Sequence, residues 1–179
     1  MKKILIFIII VLIIGAGLFY LNNRNRTLSP PGATELAFDG LKVKVEYSRP
    51  SVRDRMIFGY EEEGALLPYD SYWRLGANEP TIIAVSQPFV LGGMNTDAGQ
   101  YGIHAIPTKG EMEIILNSDL RFWGYTEPDY EQDLASAIVR ISPGEFTEQF
   151  TITPQKAKGG VNLVFNWGNH TWRLPLGKQ

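Results

Sequence analysis

From Phe38 onward, apolar and polar residues alternate with a period of two. In Lys42-Val43-Lys44-Val45-Glu46-Tyr47 the even positions are charged and the odd ones apolar, the signature of a half-buried antiparallel strand. Thr81 to Ser86 is apolar on both faces and predicts a central strand. Gln100–Ile106 and Glu111–Asn117 predict a hairpin around Thr108-Lys109-Gly110, and Leu134–Ile141 and Phe146–Thr153 continue the habit. Near the C-terminus, Val161–Trp167 and His170–Leu176 flank Gly168-Asn169, a favoured two-residue hairpin loop. With Trp167 opposite His170, Phe165 faces Trp172, Leu163 faces Leu174 and Val161 faces Leu176. Short strands separated by turn signals predict an all-β, antiparallel β-sandwich over residues 37–179. Helix is expected there only as single turns, near Asp70-Ser71-Tyr72 or between Asp119 and Asp133.

The N-terminus breaks this pattern. After Met1-Lys2-Lys3, residues 4–21 (ILIFIIIVLIIGAGLFYL) carry no charge, and NNRNR follows. As a helix the run spans roughly 27 Å, close to the hydrocarbon thickness of a bilayer. A cleaved signal peptide needs a shorter core and a small-residue site. Gly15-Ala16-Gly17 offers such a site, yet Leu18 to Leu21 carry the apolar run past it. Residues 1–26 are therefore expected to be a single transmembrane anchor whose partner is the lipid bilayer. Residues 27–36, with Pro30, Pro31 and Gly32, are expected to be an extended linker. Lys2, Lys3 and the terminal amine mildly favour a cytoplasmic N-terminus, placing the domain in the periplasm or outside the cell.

Charge and cysteine content narrow the partners. Without residues 1–26 the chain keeps 13 basic and 19 acidic residues, a net charge of −6. Such a domain is a poor match for nucleic acid or anionic lipid. The absence of cysteine excludes lipoprotein attachment and any disulfide.

The densest chemistry lies in YWRLGANEPT, residues 72–81. Gly76 permits a sharp turn and Pro80 holds Glu79 extended, so the stretch is a loop feeding the central strand. Loops on a rigid sheet are where binding sites sit. Trp73 offers a flat apolar wall, Arg74 a fork of donors for a carboxylate or phosphate, and Asn78 and Glu79 both donors and acceptors. The same residues suit a structural role equally well, with Arg74 paired to Glu79, Asn78 bonded to loop backbone and Trp73 in the core.

Arg49, Arg53 and Arg55 could bind an anion, or pair with Asp54 and Glu61 to Glu63. Arg49, at a strand end before Pro50, is the freer of the three. His104 belongs to a strand face shared with Gly102 and Ile106; His170 belongs at the rim of the last hairpin. Two histidines far apart and no cysteine give no metal-binding spacing, so no metal and no cofactor are expected. Glu127, Asp129, Glu131 and Asp133 alternate like a calcium loop but lack its glycine, Leu134 standing there; a solvated loop fits better. Trp123, Tyr125 and Tyr130 could line a sugar platform or cap the core. Nucleophile elbows, zinc-protease helices and phosphate-cradling glycine loops are absent from the sequence.

The blocks YSRPSVRDRMIFG (47–59), LPYDSYWRLGANEPT (67–81), AGQYGIHAIP (98–107) and WG (123–124) together resemble the DUF2911 family over residues 37 to 175. The match departs from the family pattern at Met112, Asp70 and the acidic segment Tyr60–Ala65. The resemblance implies a β-rich, sandwich-like domain of the bacterial envelope and no mechanism. Three functions follow as expectations. The first is a membrane-anchored binding module for a small molecule or envelope partner, using Trp73, Arg74, Asn78, Glu79, Arg49 and His104. The second is a hydrolase or lyase in which Arg74 orients an anion and Glu79 and His104 are catalytic. The third is a structural envelope protein acting as a homo-oligomer.

Overall fold

The computed structural model describes residues 2–122 and 126–179. Its elements are helix α1 (Lys2–Leu28) and strands β1 (Pro31–Phe38), β2 (Leu41–Ser48), β3 (Phe58–Gly59), β4 (Leu67–Pro68), β5 (Thr81–Val85), β6 (Phe89–Leu91), β7 (Met94–Thr96), β8 (Gly99–Thr108), β9 (Glu111–Asn117), β10 (Asp133–Arg140), β11 (Ser142–Ala157) and β12 (Gly160–Lys178). Single 3-10 turns form at Glu61–Glu63 and Tyr130–Gln132. The second falls inside the segment expected to hold one; residues 70–72 are turn and bend instead.

Two antiparallel sheets pack as the expected sandwich. One has six strands in the order β1-β2-β5-β8-β9-β10, the other four in the order β11-β12-β6-β7. The period-two pattern decides what lies between them. Leu41, Val43, Val45 and Tyr47 of β2 point inward, as do Thr81, Ile83 and Val85 of β5, while the lysines of β2 face solvent. β5 lies between β2 and β8, the central place its apolar faces predicted. Trp73, Phe150, Phe165, Trp167 and Trp172 form the aromatic heart of the core. Phe165 stacks on Trp172 at 5.4 Å and Trp73 on Trp167 at 5.6 Å.

The Gly168-Asn169 hairpin does not form. Residues 160–178 are one long strand paired along β11. The inward set changes parity within it: Val161, Leu163, Phe165 and Trp167 are buried, then Trp172, Leu174 and Leu176. A hairpin inverts parity in sequence, and so does a bulge. Gly168 takes the left-handed value φ +58, and the ladder to β11 shifts register between Pro143, Thr147 and Thr151. The chain actually reverses at Lys158-Gly159, between the paired residues Ala157 and Gly160.

The expected linker is also taken up by regular structure. Only Ser29 and Pro30 separate α1 from β1, which pairs with β2 from Pro31↔Ser48 to Phe38↔Leu41. Pro31 is tolerated because it heads an edge strand. The helix, 27 residues with none buried, is long and apolar enough to cross a membrane.

Candidate functional site

The outer face of β8, β9 and β10 carries the polar chemistry. The registers place three rows side by side. Gly102, Asn117 and Asp133 form the first, His104, Ile115 and Ser136 the second, and Ile106, Glu113 and Ile138 the third. A period-two strand puts these side chains opposite the core-facing Ile103, Ala105, Ile114 and Leu116. A cavity of about 360 Å³ opens on this face, with His104, Asp133 and Glu113 among its lining residues and Met94 and Leu134 at its apolar side.

His104 is fully buried, and its Nε2 lies 2.9 Å from Asp133 Oδ1. The same oxygen accepts from Asn117 Nδ2 at 2.7 Å, and that amide also donates to the Asp129 carbonyl at 2.8 Å. An ionised carboxylate only accepts, so the imidazole proton sits on Nε2. His104 Nδ1 is then an acceptor, and it is buried without a partner. The hydroxyl of Tyr72, whose ring lies 5.8 Å from His104, is likewise buried and unpaired. Burial pushes that hydroxyl up to about 12; the positive charge of Arg74 works against the shift and Glu127 adds to it. Tyr130 packs edge-on to His104 at 5.7 Å and donates to Glu127 Oε2 at 2.5 Å. Its hydroxyl is pushed up by burial and then by Glu127.

The residues singled out in the sequence are dispersed by this arrangement. Trp73 is core, not a wall: it is 4% exposed, bridges to Ala105, and its Nε1 donates to the Gly76 carbonyl at 3.1 Å. Alternation across a bridge to β8 sends Tyr72 to the outer face and Trp73 inward. Arg74 donates to the Asn78 carbonyl at 3.3 Å, and its charge acts on the Tyr72 hydroxyl. Glu79 does not pair with Arg74; its carboxylate meets Arg26 at the end of α1. Asn78 donates to the carbonyl of Ser29 at 3.3 Å, so Asn78 and Glu79 hold the helix end. Arg49 ties the sheets together, reaching the Phe150 carbonyl at 3.4 Å and Thr151 Oγ1 at 3.2 Å. Arg55 is spent on the carbonyls of Val52 and Ser51, at 3.0 and 2.6 Å, not on the acidic run.

Asp133, Asn117, Tyr72 and Glu113 were missed in the sequence. Asp133 closed an acidic run read as solvated, yet Asp129 caps the turn at Glu131, Glu127 holds Tyr130 and Asp133 holds His104. A histidine in a strand demands a polar partner, which was the available signal. Trp123 and Tyr125, suggested for a sugar platform, and the WG pair at 123–124 lie outside the described residues. His170 is half-buried against Phe58, at 5.2 Å, beside a second cavity of about 390 Å³ that also borders Tyr69 and Ile141. Burial lowers the pKa of its ring. No group of three or more His, Asp and Glu side chains among the described residues is placed to hold a metal ion.

The model of the family described as a protein of unknown function, DUF2911, matches residues 29–176. The chain is a DUF2911 protein. The match runs from just after α1 to Leu176 near the end of β12, so the DUF2911 region contains the six-stranded sheet, the whole His104 face and all but the last two residues of β12. No curated protein and no solved structure matches it. α1 lies wholly ahead of the DUF2911 match.

Proposed function

We propose that this DUF2911 protein is a membrane-anchored, extracytoplasmic binding module whose ligand site is the His104–Asp133 pocket. One observation carries the reading: a buried histidine fixed by Asp133 borders an open cavity while its second ring nitrogen lacks a partner. Buried polar atoms are satisfied in most folded proteins, so an orphan beside a cavity supports a ligand that completes the bonding. The basic N-terminus ahead of α1 favours the domain outside the cytoplasm. The hydrolase or lyase alternative asks Glu79 to act with His104. The pairing of Glu79 with Arg26, and of His104 with Asp133, supports binding over that constellation.

A structural, homo-oligomeric role is the second reading, favoured by β10. It ends the six-stranded sheet and exposes Leu134 at 51% and Ile138 at 67%. The test for both is a metabolite screen on the full chain in non-ionic detergent, read by thermal shift, with mass measured by light scattering. Ligands that stabilise wild type but not His104→Ala support the pocket. A dimer whose mass falls to monomer in Ile138→Lys, with no ligand found, favours assembly.

A further inference from the structure

The charge and hydrogen-bonding sense of the pocket define its ligand more closely, given the binding reading above. Its lining has two carboxylates, Asp133 and Glu113, and neither lysine nor arginine. Glu113 sits between Ile106 and Ile138 across the strands, and its carboxylate makes no ion pair or hydrogen bond among the described residues. Asp133 already accepts from Asn117 and His104, both on Oδ1. His104 adds an unpaired nitrogen which, with the proton on Nε2, also accepts. Of the two hydroxyls in the lining, Tyr130 donates to Glu127 and Ser136 both donates and accepts, so the lining is rich in acceptors and carries no positive charge, while Met94, Ile115 and Leu134 supply apolar surface.

We infer that the pocket takes a small organic cation, an alkyl- or arylalkylammonium ion whose N–H groups meet Glu113 and His104 and whose carbon body lies along Ile115 and Leu134. An ammonium brings the positive charge the lining lacks, and several N–H donors for its surplus of acceptors. An anion would face two carboxylates, and a neutral alcohol would leave Glu113 uncompensated. The net charge of −6 on residues 27–179 raises the local concentration of cations in the same sense.

Three probes with one carbon body decide the matter: 2-phenylethylamine, 2-phenylethanol and phenylacetate. Each is titrated into the full chain in non-ionic detergent micelles, by calorimetry and by the imidazole nitrogen resonances of His104. The amine is expected to bind at least tenfold tighter than the other two and to shift the His104 resonances. Glu113→Gln, at a half-buried position with no partner to lose, is expected to weaken the amine about fivefold and leave the alcohol unchanged. Alcohol or acid binding as tightly as the amine, with His104 shifting, would overturn the cation inference and leave the pocket as a binding site. Amine binding that neither moves His104 nor responds to Glu113→Gln lies elsewhere and overturns it too. Silence from all three probes, at concentrations reaching tens of millimolar, removes both the inference and the binding reading.

Discussion

His104 Nε2 and Asp133 Oδ1 stand 2.9 Å apart, although 29 residues separate them in the chain. Asp133 is the only group bonded to either nitrogen of that buried ring among the described residues. Removing it strands the imidazole and takes one of the two acceptors of the Asn117 amide, whose bond to the Asp129 carbonyl stays. Asp133→Ala is expected to cost about 3 kcal/mol of folding stability, and the His104→Ala cycle to show a coupling of about 2 kcal/mol. Urea unfolding followed by tryptophan fluorescence measures both. A coupling under about 0.5 kcal/mol would mean that the pair contributes no specific interaction.

Tyr72→Phe separates structure from function at the same place. The hydroxyl is buried and unpaired, so deleting it relieves a desolvation cost. The variant is expected to unfold at equal or higher urea, by about 1 kcal/mol. A clear destabilisation would show that the hydroxyl is bonded after all.

Within the loop at residues 72–81, stability resides in Trp73. Trp73→Ala should cost about 4 kcal/mol, since it empties the centre of the aromatic core. Glu79→Gln should cost less than about 1 kcal/mol, because its ion pair with Arg26 is exposed to solvent on both sides. Parallel denaturation curves of the two variants test the ranking.

Two glycines differ in what a methyl group would meet. At Gly168 the nearest atom to an added Cβ is Ile57 Cγ1 at 3.6 Å, so only the left-handed backbone resists, and Gly168→Ala should cost about 1 kcal/mol. At Gly92 a Cβ would fall 1.9 Å from the Ser136 carbonyl oxygen, forcing the β6–β7 hairpin off β10. Gly92→Ala should cost about 3 kcal/mol. Thermal unfolding of the pair checks the difference.

His170 carries a pH dependence of defined sign. Burial holds its folded pKa below the ordinary 6.5, so acid protonates the unfolded chain first. Its contribution is fully present above pH 6.5 and is lost as the pH falls from there through the depressed folded value. Urea midpoints at pH 7.5, 6.5 and 5.5 should decline, and His170→Phe should flatten that decline. An unchanged slope would place the acid sensitivity in other groups.

What could be read from the sequence divides along physical lines. Val43, Val45 and Tyr47 declare their face because alternation is local, and Thr81 to Ser86 declares a central strand for the same reason. The parity change around Gly168 was legible, but its cause was not, since a reversal and a bulge leave the same trace. Pro30 and Pro31 suggested a free linker because an edge strand tolerates proline as readily as a loop does. Side-chain partnerships were the least visible. Glu79 to Arg26 and His104 to Asp133 depend on which surfaces the fold brings together, and no periodicity encodes that. The loop at residues 72–81 sets Tyr72 beside the His104 ring, while Trp73 enters the core and Glu79 meets Arg26.

The two-residue connection between α1 and β1 limits mechanics as well as topology. Ser29 and Pro30 span roughly 7 Å at full stretch, and Asn78 and Glu79 clamp the helix end from the side. So short a connection leaves the sandwich far less room to swing about its helix than a long tether would. Were α1 embedded in a bilayer, its tilt would limit the orientations open to the domain. A binding partner would then have to approach close to the lipid surface, from whichever side the helix presents.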